Sequence, residues 1–538
     1  MKQKTTSVLA LLLMIASILM AIIVTATGTT TVATFWALVP PIIAIALALL
    51  TKEVYSSLFL GIVVGSILAC NGSITTAVDH IVSDGLITAV SDTAGIFLFL
   101  VILGMLVALI NTAGGSAAFG RWAQAHIKTR IGAQLATFVL GILIFIDDYF
   151  NCLTVGSVML PVTDSHKISR AKLSYLIDAT AAPICMIAPV SSWAAAVADY
   201  TNVEGYNGIQ LFIKAIPYNF YSLLTFAFVI ILILSKKDYG PMATHEKNAL
   251  EKGDLFSTAE RVDGLTSEHN PKGRIPDLLL PILALIVFSV FALIYIGGFF
   301  DAASPYYKDL TGAFSVTSAS TALPWGALVA LILIVIYLIG RKLITFKDAM
   351  DCIPKGFNAM VPAIIILTFA TALKNITAGL LQSDAFIEVV MDSGLRSFTN
   401  LLPAVIFLVA CLLAFATGTS WGTFGILIPI VNDMFDPSNP IFYIGISACL
   451  AGAVCGDHCS PISDTTIMSS AGAQCVHVNH VSTQLPYAVT VAVISFVCFL
   501  VAGFVQNPII CLTLGTALIA AFFILLTVLS KRKASIRR

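Results

Sequence analysis

The stretch Gly456-Asp457-His458-Cys459-Ser460-Pro461-Ile462-Ser463-Asp464-Thr465-Thr466 interrupts apolar, helix-forming sequence that runs from Ile441 to Cys455 and resumes at Ile467-Met468. Two carboxylates, an imidazole and several hydroxyls thus fall where a membrane span passes the bilayer middle. A charge there costs at least a few kcal/mol, so such residues face a polar cavity and mark an ion or substrate path. Pro461 has no backbone N–H to give, and Gly456 weakens the helix before it. The expected result is a span broken into two half-helices, whose open carbonyls and helix ends are ready ion ligands. A loop between two short spans, or a structural hydrogen-bond knot, is the competing reading for this stretch taken alone.

The rest of the chain sets that break in a membrane. Of 538 residues 58% are hydrophobic and 11% charged, and apolar runs recur through nearly the whole length. The expectation is an all-α polytopic membrane protein with about 12 transmembrane helices and two re-entrant hairpins. Net charge is zero, so nothing points to a nucleic-acid partner. The 11 cysteines are scattered, mostly inside apolar runs, and read as small buried hydrophobes. Cys455 and Cys459 flank His458 at helical spacing, but no four-ligand zinc pattern follows. No cofactor is expected.

Candidate spans are 7–27, 34–50, 55–70, 95–113, 173–200, 209–235, 277–300, 323–340, 358–375, 441–472, 486–505 and 507–530. Segments 131–163 and 401–433 are apolar but interrupted in the middle, and 74–92 and 344–357 are polar enough to lie along the interface. Residues 236–276 read as a linker without apolar periodicity. With the N-terminus in the cytoplasm, Lys52, the Arg121–Arg130 loop, Lys236-Lys237, Arg341-Lys342 and the Lys531–Arg538 tail all fall inside. Both termini are then cytoplasmic, as expected in a plasma (inner) membrane. Lys167, Arg170 and Lys172 stay inside only if 131–163 enters and leaves on the cytoplasmic side. The same logic makes 401–433 a hairpin entering from outside; the connections left outside hold only Lys308 as a basic residue, and Arg396 is an exception to the map.

An internal repeat accompanies the hairpins. Thr154-Val155-Gly156 leads to Pro161 as Thr423-Phe424-Gly425 leads to Pro429, and Ala188-Pro189-Val190-Ser191-Ser192 answers Ser460-Pro461-Ile462-Ser463-Asp464. The predicted organisation is an extra N-terminal span (1–33), repeat one (34–235), the cytoplasmic linker (236–276), repeat two (277–505), and a C-terminal span with a basic tail (506–538). The two repeats lie in opposite orientations, an architecture that supports alternating access.

Four breaks carry the chemistry. The first holds Asp147 and Asp148 with Asn151; adjacent carboxylates are hard to ionise together, which suits a carrier of cations and protons. A hairpin tip at the surface, with the aspartates capping the next helix, is the competing reading. The second, Ser191-Ser192, offers neutral oxygens or merely bonds its own backbone. The third holds Thr417, Thr419, Ser420 and Thr423 among glycines that permit close backbone approach. The fourth offers Asp457, Ser460, Ser463, Asp464 and Thr465, hard oxygens of the kind Na+ prefers, with Na+ expected at Asp148, Asp457 and Asp464. His458 either relays protons or simply bonds a carbonyl. Asp178 and Lys374 are further charges near membrane depth.

The run GDHCSPISDTTIMSSAG, followed by His477, His480 and Gln484-Leu485-Pro486-Tyr487, resembles the NhaC-type sodium/proton antiporter family, as do FIDDYFNCLTVG and ATGTSWGTFGILIP. The resemblance covers residues 34 to 505. It implies membership of the ion transporter superfamily, two inverted repeats with hairpins, an elevator-like or rocking motion, and a homodimer. The leading expectation is a Na+/H+ antiporter in the lipid bilayer. The alternative is a Na+- or H+-coupled carrier of a small organic solute, a carboxylate or an amino acid, held at the two uncharged breaks. A channel fits the breaks poorly, and no nucleophile–base pair suggests an enzyme.

Overall fold

The computed structural model describes residues 2–51, 55–70, 72–200, 208–258, 270–383, 385–386, 389, 395–461 and 463–536. Among them every regular element is helical. The first half runs α1 (Lys2–Ala26), α2 (Val39–Thr51), α3 (Tyr55–Ala69), α4 (Ile74–Asp79), α5 (Thr88–Ala113), α6 (Gly115–His126), α7 (Arg130–Leu143), α8 (Asp148–Ser165), α9 (Arg170–Asp178), α10 (Ala182–Cys185), α11 (Ser192–Tyr200), α12 (Gly208–Ala215) and α13 (Phe220–Ser235). After α14 (Gly240–Lys252) come α15 (Pro276–Ile296), α16 (Leu310–Val316), α17 (Ala319–Gly340), α18 (Phe346–Lys374), α19 (Leu402–Thr417), α20 (Ser420–Met434), α21 (Ile441–Cys459), α22 (Asp464–Gly472), α23 (His477–Val505) and α24 (Pro508–Ile536).

Eight helices among the described residues are long and apolar enough to cross a bilayer, nine if the bent α18 counts. Of the broken elements, α19 and α21 meet this criterion, whereas α7 and α9–α11 are too short alone. The chain is a multi-pass membrane protein.

Two segments differ from the sequence expectation. Residues 74–92 do not lie apart along the interface: Ile74–Ala113 is one 40-residue helix, with π-helical turns over His80–Ile87. Residues 344–357 likewise run into the next span as α18, bent by 43° at Pro362. The missing N–H of Pro362 explains the bend. Continuity gains packing, since α5 and α18 cross backbone to backbone. A Cβ on Gly104 would sit 2.4 Å from the Gly356 carbonyl oxygen.

Part of the linker also departs from expectation: Gly240–Lys252 folds as α14 and docks, while 259–269 lie outside the described residues. Lys172, 1% exposed, donates to Asp238 at 2.5 Å, and Tyr487 donates to the same oxygen at 2.6 Å. Arg130 pairs with Glu246, and the Ser169 amide donates to the other Glu246 oxygen at 2.9 Å. Arg130 opens α7 and Ser169 follows α8, so one carboxylate holds both ends of the interrupted segment on the same side. Lys52, Arg537 and Arg538 lie outside the described residues.

Each half contains a helix–break–helix pair (α7/α8, α19/α20) followed by a broken helix (α9–α11, α21/α22). The hairpin of each half packs on the broken helix of the other. Cβ atoms built on Gly156 of α8 would lie 2.4 Å from the Gly472 backbone of α22. On the other side Trp421 and Phe424 of α20 pack tilted against Trp193 of α11 at 5.7 and 5.1 Å between ring centres, and Asn432 donates to the Tyr200 carbonyl at 2.8 Å. α21 runs through the middle, with 94% of its span buried, and its small residues admit α19.

Candidate functional site

Three breaks meet at buried carboxylates. α7 stops at Leu143, and the chain turns before α8 begins at Asp148. Asn151 satisfies that turn: its Nδ2 donates to the carbonyls of Gly141 (2.7 Å), Ile144 (2.9 Å) and Thr180 (3.3 Å). Open carbonyls inside a membrane protein need such donors. The last contact fastens the hairpin to the turn between α9 and α10, which leads into the broken span's second break at 186–191. There Ser192 donates its hydroxyl to Asp147 at 3.3 Å and its amide to the Ile146 carbonyl at 3.0 Å.

Asp148 is the exception to this thrift. It is 1% exposed, and neither carboxylate oxygen has a hydrogen-bond donor. The Trp193 indole lies beside it without a bond of normal geometry, and Asp147 and Asp457 are near enough to repel it. A buried carboxylate without donors is costly as an anion. A cation or a proton would satisfy it.

Asp457, in the last turn of α21, accepts the Thr465 hydroxyl at 3.0 Å. Cys152, one turn beyond Asp148 on α8, reaches the Thr465 carbonyl at 3.6 Å and accepts Ser469 at 3.2 Å. The α8 face that carries Asp148 therefore abuts the fourth break. Ser460 is buried there, its amide donating to the Asp457 carbonyl at 2.9 Å. Asp464 opens α22, but its side chain lies outside what the structure describes. Among the described residues no three His, Cys, Asp or Glu side chains form a metal-binding group.

Several hydroxyls expected as ligands serve the backbone. Ser191, Thr419 and Ser463 are N-caps of half-helices, accepting the amides of Ala194 (3.1 Å), Gly422 (3.4 Å) and Thr466 (3.1 Å). A cap is worth about 1 kcal/mol, a sufficient reason for a hydroxyl at each restart. Thr417 and Thr423 bond the carbonyls of Leu413 and Thr419, both at 2.9 Å, and Ser420 reaches Ala453 on α21 at 3.2 Å. The third break thus joins the site through its aromatic wall, Trp421 and Phe424 against Trp193.

A second polar cluster lies beyond Asp457. Asp178, fully buried at the end of α9, accepts Thr466 (3.0 Å), His480 Nε2 (3.2 Å) and Gln484 (2.6 Å) on Oδ2. His458 Nε2 faces Oδ1 at 3.9 Å, and Tyr221 bonds His458 Nδ1 at 3.1 Å. The sequence shows Asp178 as a membrane-depth charge but not its partners. His480 and Gln484 share one face of α23 at i, i+4, a spacing visible in the sequence that names no target.

A family model described as the Na+/H+ antiporter family matches residues 184–504, more than half of the chain. The chain belongs to that family. An uncharacterized protein of Haemophilus influenzae is 38% identical over 486 residues, 88% of this chain and 91% of that relative. A malate-2H+/Na+-lactate antiporter of Bacillus subtilis is 28% identical over 167 residues, 30% of this chain and 34% of the relative. Among solved structures the YdaH transporter of Alcanivorax borkumensis is similar at a TM-score of 0.45 and 12% identity, over 78% of this chain and 86% of that one. Antiporter membership makes this chain a secondary transporter, and the matched region takes in the second, third and fourth breaks.

Proposed function

We propose that the protein exchanges Na+ for H+ by alternating access, with Asp147, Asp148 and Asp457 as the carboxylates of a shared cation and proton pocket. The observation that carries this reading is Asp148: buried, within electrostatic reach of Asp147 and Asp457, and without a donor on either oxygen. Asp148 cannot stay ionised in a low-dielectric site within reach of two further carboxylates unless a cation balances the charge. Na+ binding and protonation then exclude each other, which is what exchange requires. Asn151 Oδ1, buried and without a partner, is a further oxygen for the ion.

The reciprocal seating of each hairpin on the other half's broken helix supports a pseudo-two-fold relation between residues 34–235 and 277–505. Swapping the conformations of two such halves opens the pocket to one side and then the other. Glu246 holding both ends of segment 130–169 supports a hairpin that enters and leaves on the linker side. By the distribution of Lys and Arg that side is the cytoplasm.

A second reading, H+/Na+-coupled exchange of organic acids, has one observation in its favour: the malate-2H+/Na+-lactate relative. Purified protein in proteoliposomes with a trapped pH dye separates the two. Sodium alone should move protons. A signal that appears only with malate or lactate present would favour the second reading and sink the first.

A further inference from the structure

We propose that Trp193 decides which alkali cation the pocket admits, accepting Na+ and holding back the larger K+. This rests on the reading of Asp148 as a cation-binding carboxylate. Trp193 follows Ser192 in the first turn of α11, so two neighbours meet both carboxylates of the first break. Ser192 bonds Asp147 at 3.3 Å, and the Trp193 indole lies beside Asp148.

Indole has one N–H donor and no acceptor, so it cannot ligate a cation. The side of the pocket that it occupies therefore gives the ion no oxygen. The free oxygens nearby are the two of Asp148 and Oδ1 of Asn151. Selection among hard cations follows cavity size, ligand number and flexibility. Few oxygens beside a wall without ligands suit the smaller ion, since K+ takes longer contacts and more of them.

A wall selects only if it does not yield. Trp193 is 0% exposed, and its ring packs against Trp421 at 5.7 Å and Phe424 at 5.1 Å, which lie 5.5 Å from each other. Both belong to α20 in the other half of the chain, so the wall is braced across the repeat. The brace has little slack: a Cβ on Gly425 would stand 3.1 Å from the Tyr200 hydroxyl oxygen and 3.1 Å from the Ala370 Cβ. Interiors packed this closely transmit strain instead of absorbing it. The backbone is fixed as well, with Ser191 accepting the Ala194 amide at 3.1 Å and the Ser192 amide on the Ile146 carbonyl at 3.0 Å. Packing alone does not call for tryptophan here. Its Nε1 is buried without a hydrogen bond, a cost that a phenyl ring would not carry. The uncharged third break, whose hydroxyls serve the backbone, thereby has a part in ion choice as the brace.

The test is 22Na+/Na+ exchange in proteoliposomes at one pH with K+ as competitor. The readout is the ratio of half-inhibiting K+ to half-saturating Na+, which should lie well above one in wild-type protein. Trp193→Leu takes volume from the wall and should lower that ratio about fivefold or more, and Trp193→Phe about twofold. Trp193→Phe keeps a ring on Trp421 and Phe424, so it decides the matter if Trp193→Leu does not insert. Trp122→Phe, at an exposed ring on α6, is the control and should keep the wild-type ratio. A slower exchange with an unchanged ratio in the Trp193 variants means a ring that only packs, and overturns the proposal. So does a wild-type ratio near one. The exchange moves no protons, which separates the two readings. Wild-type protein that exchanges 22Na+ but moves no protons on adding Na+ refutes antiport and leaves the ratio to decide the role of Trp193. Protein that exchanges no 22Na+ refutes both.

Discussion

Thr465 and Thr466 are neighbours in the chain, yet their hydroxyls serve different carboxylates, Asp457 and Asp178, each at 3.0 Å. Successive residues at a helix start diverge by roughly 100°. One turn can therefore stand between two charged clusters and touch both. This makes the two threonines separable by mutation. Thr465→Val should weaken apparent Na+ affinity several-fold with little change in the pH optimum. Thr466→Val removes a donor from the buried Asp178 and should lower the unfolding temperature with little change in Na+ affinity. The paired measurement is transport rate against Na+ concentration and thermal unfolding in detergent; identical effects of both substitutions would deny the division.

The carboxylates should rank by their donors. Asp148 has none, whereas Asp147 and Asp457 accept hydroxyls from Ser192 and Thr465. Asp148→Asn removes the charge and the titration and should abolish Na+-driven proton movement. Asp147→Asn and Asp457→Asn should retain exchange at a higher half-saturating Na+ concentration. Rates across a Na+ series in everted membrane vesicles give the comparison, and an active Asp148→Asn with inactive partners would invert the ranking.

The fourth break should be fragile at Gly456 for a reason independent of ions. A Cβ there would stand 2.1 Å from the Cys411 carbonyl oxygen, pushing α21 away from α19. Gly456→Ala should cost about 1–3 kcal/mol, seen as earlier thermal unfolding in detergent. Gly340→Ala, where nothing lies within 4 Å, is the control and should leave the unfolding temperature unchanged.

The docked linker yields a topological test. A cysteine at Lys252, in a background without native cysteines, should resist impermeant thiol reagents in intact cells and react in everted membranes. Glu246→Gln should loosen the ends of α7 and α8, at about 1–3 kcal/mol, because it leaves Arg130 without its anion. Rapid labelling from outside would reverse the orientation.

Much of the architecture is legible in the sequence because the membrane narrows the choices. A polar or glycine-rich cluster within an apolar run points to a break, and helices stop at 144–147, 186–191, 418–419 and 460–461; a proline alone does not, since Pro281 and Pro324 lie inside continuous helices. The interfacial segments were less legible. Polar residues at 74–92 and 344–357 suggest a helix lying flat, but helix continuity and the Gly104–Gly356 crossing prevail. Local pattern identifies Asp147, Asp148 and Asp457. It does not reveal that Ser191, Thr419 and Ser463 are caps, since a cap and a ligand ask for the same side chain. Nor does it join Asp178 to His480, 302 residues apart, because that pairing depends on how four helices pack.

The most direct test of a cation pocket at Asp148 is equilibrium binding of 22Na+ to purified protein across a pH series. Wild-type protein should bind Na+ in competition with protons, and Asp148→Asn should bind it at least about tenfold more weakly at every pH. Unchanged, acid-sensitive Na+ binding by a well-folded Asp148→Asn protein would place the ion elsewhere.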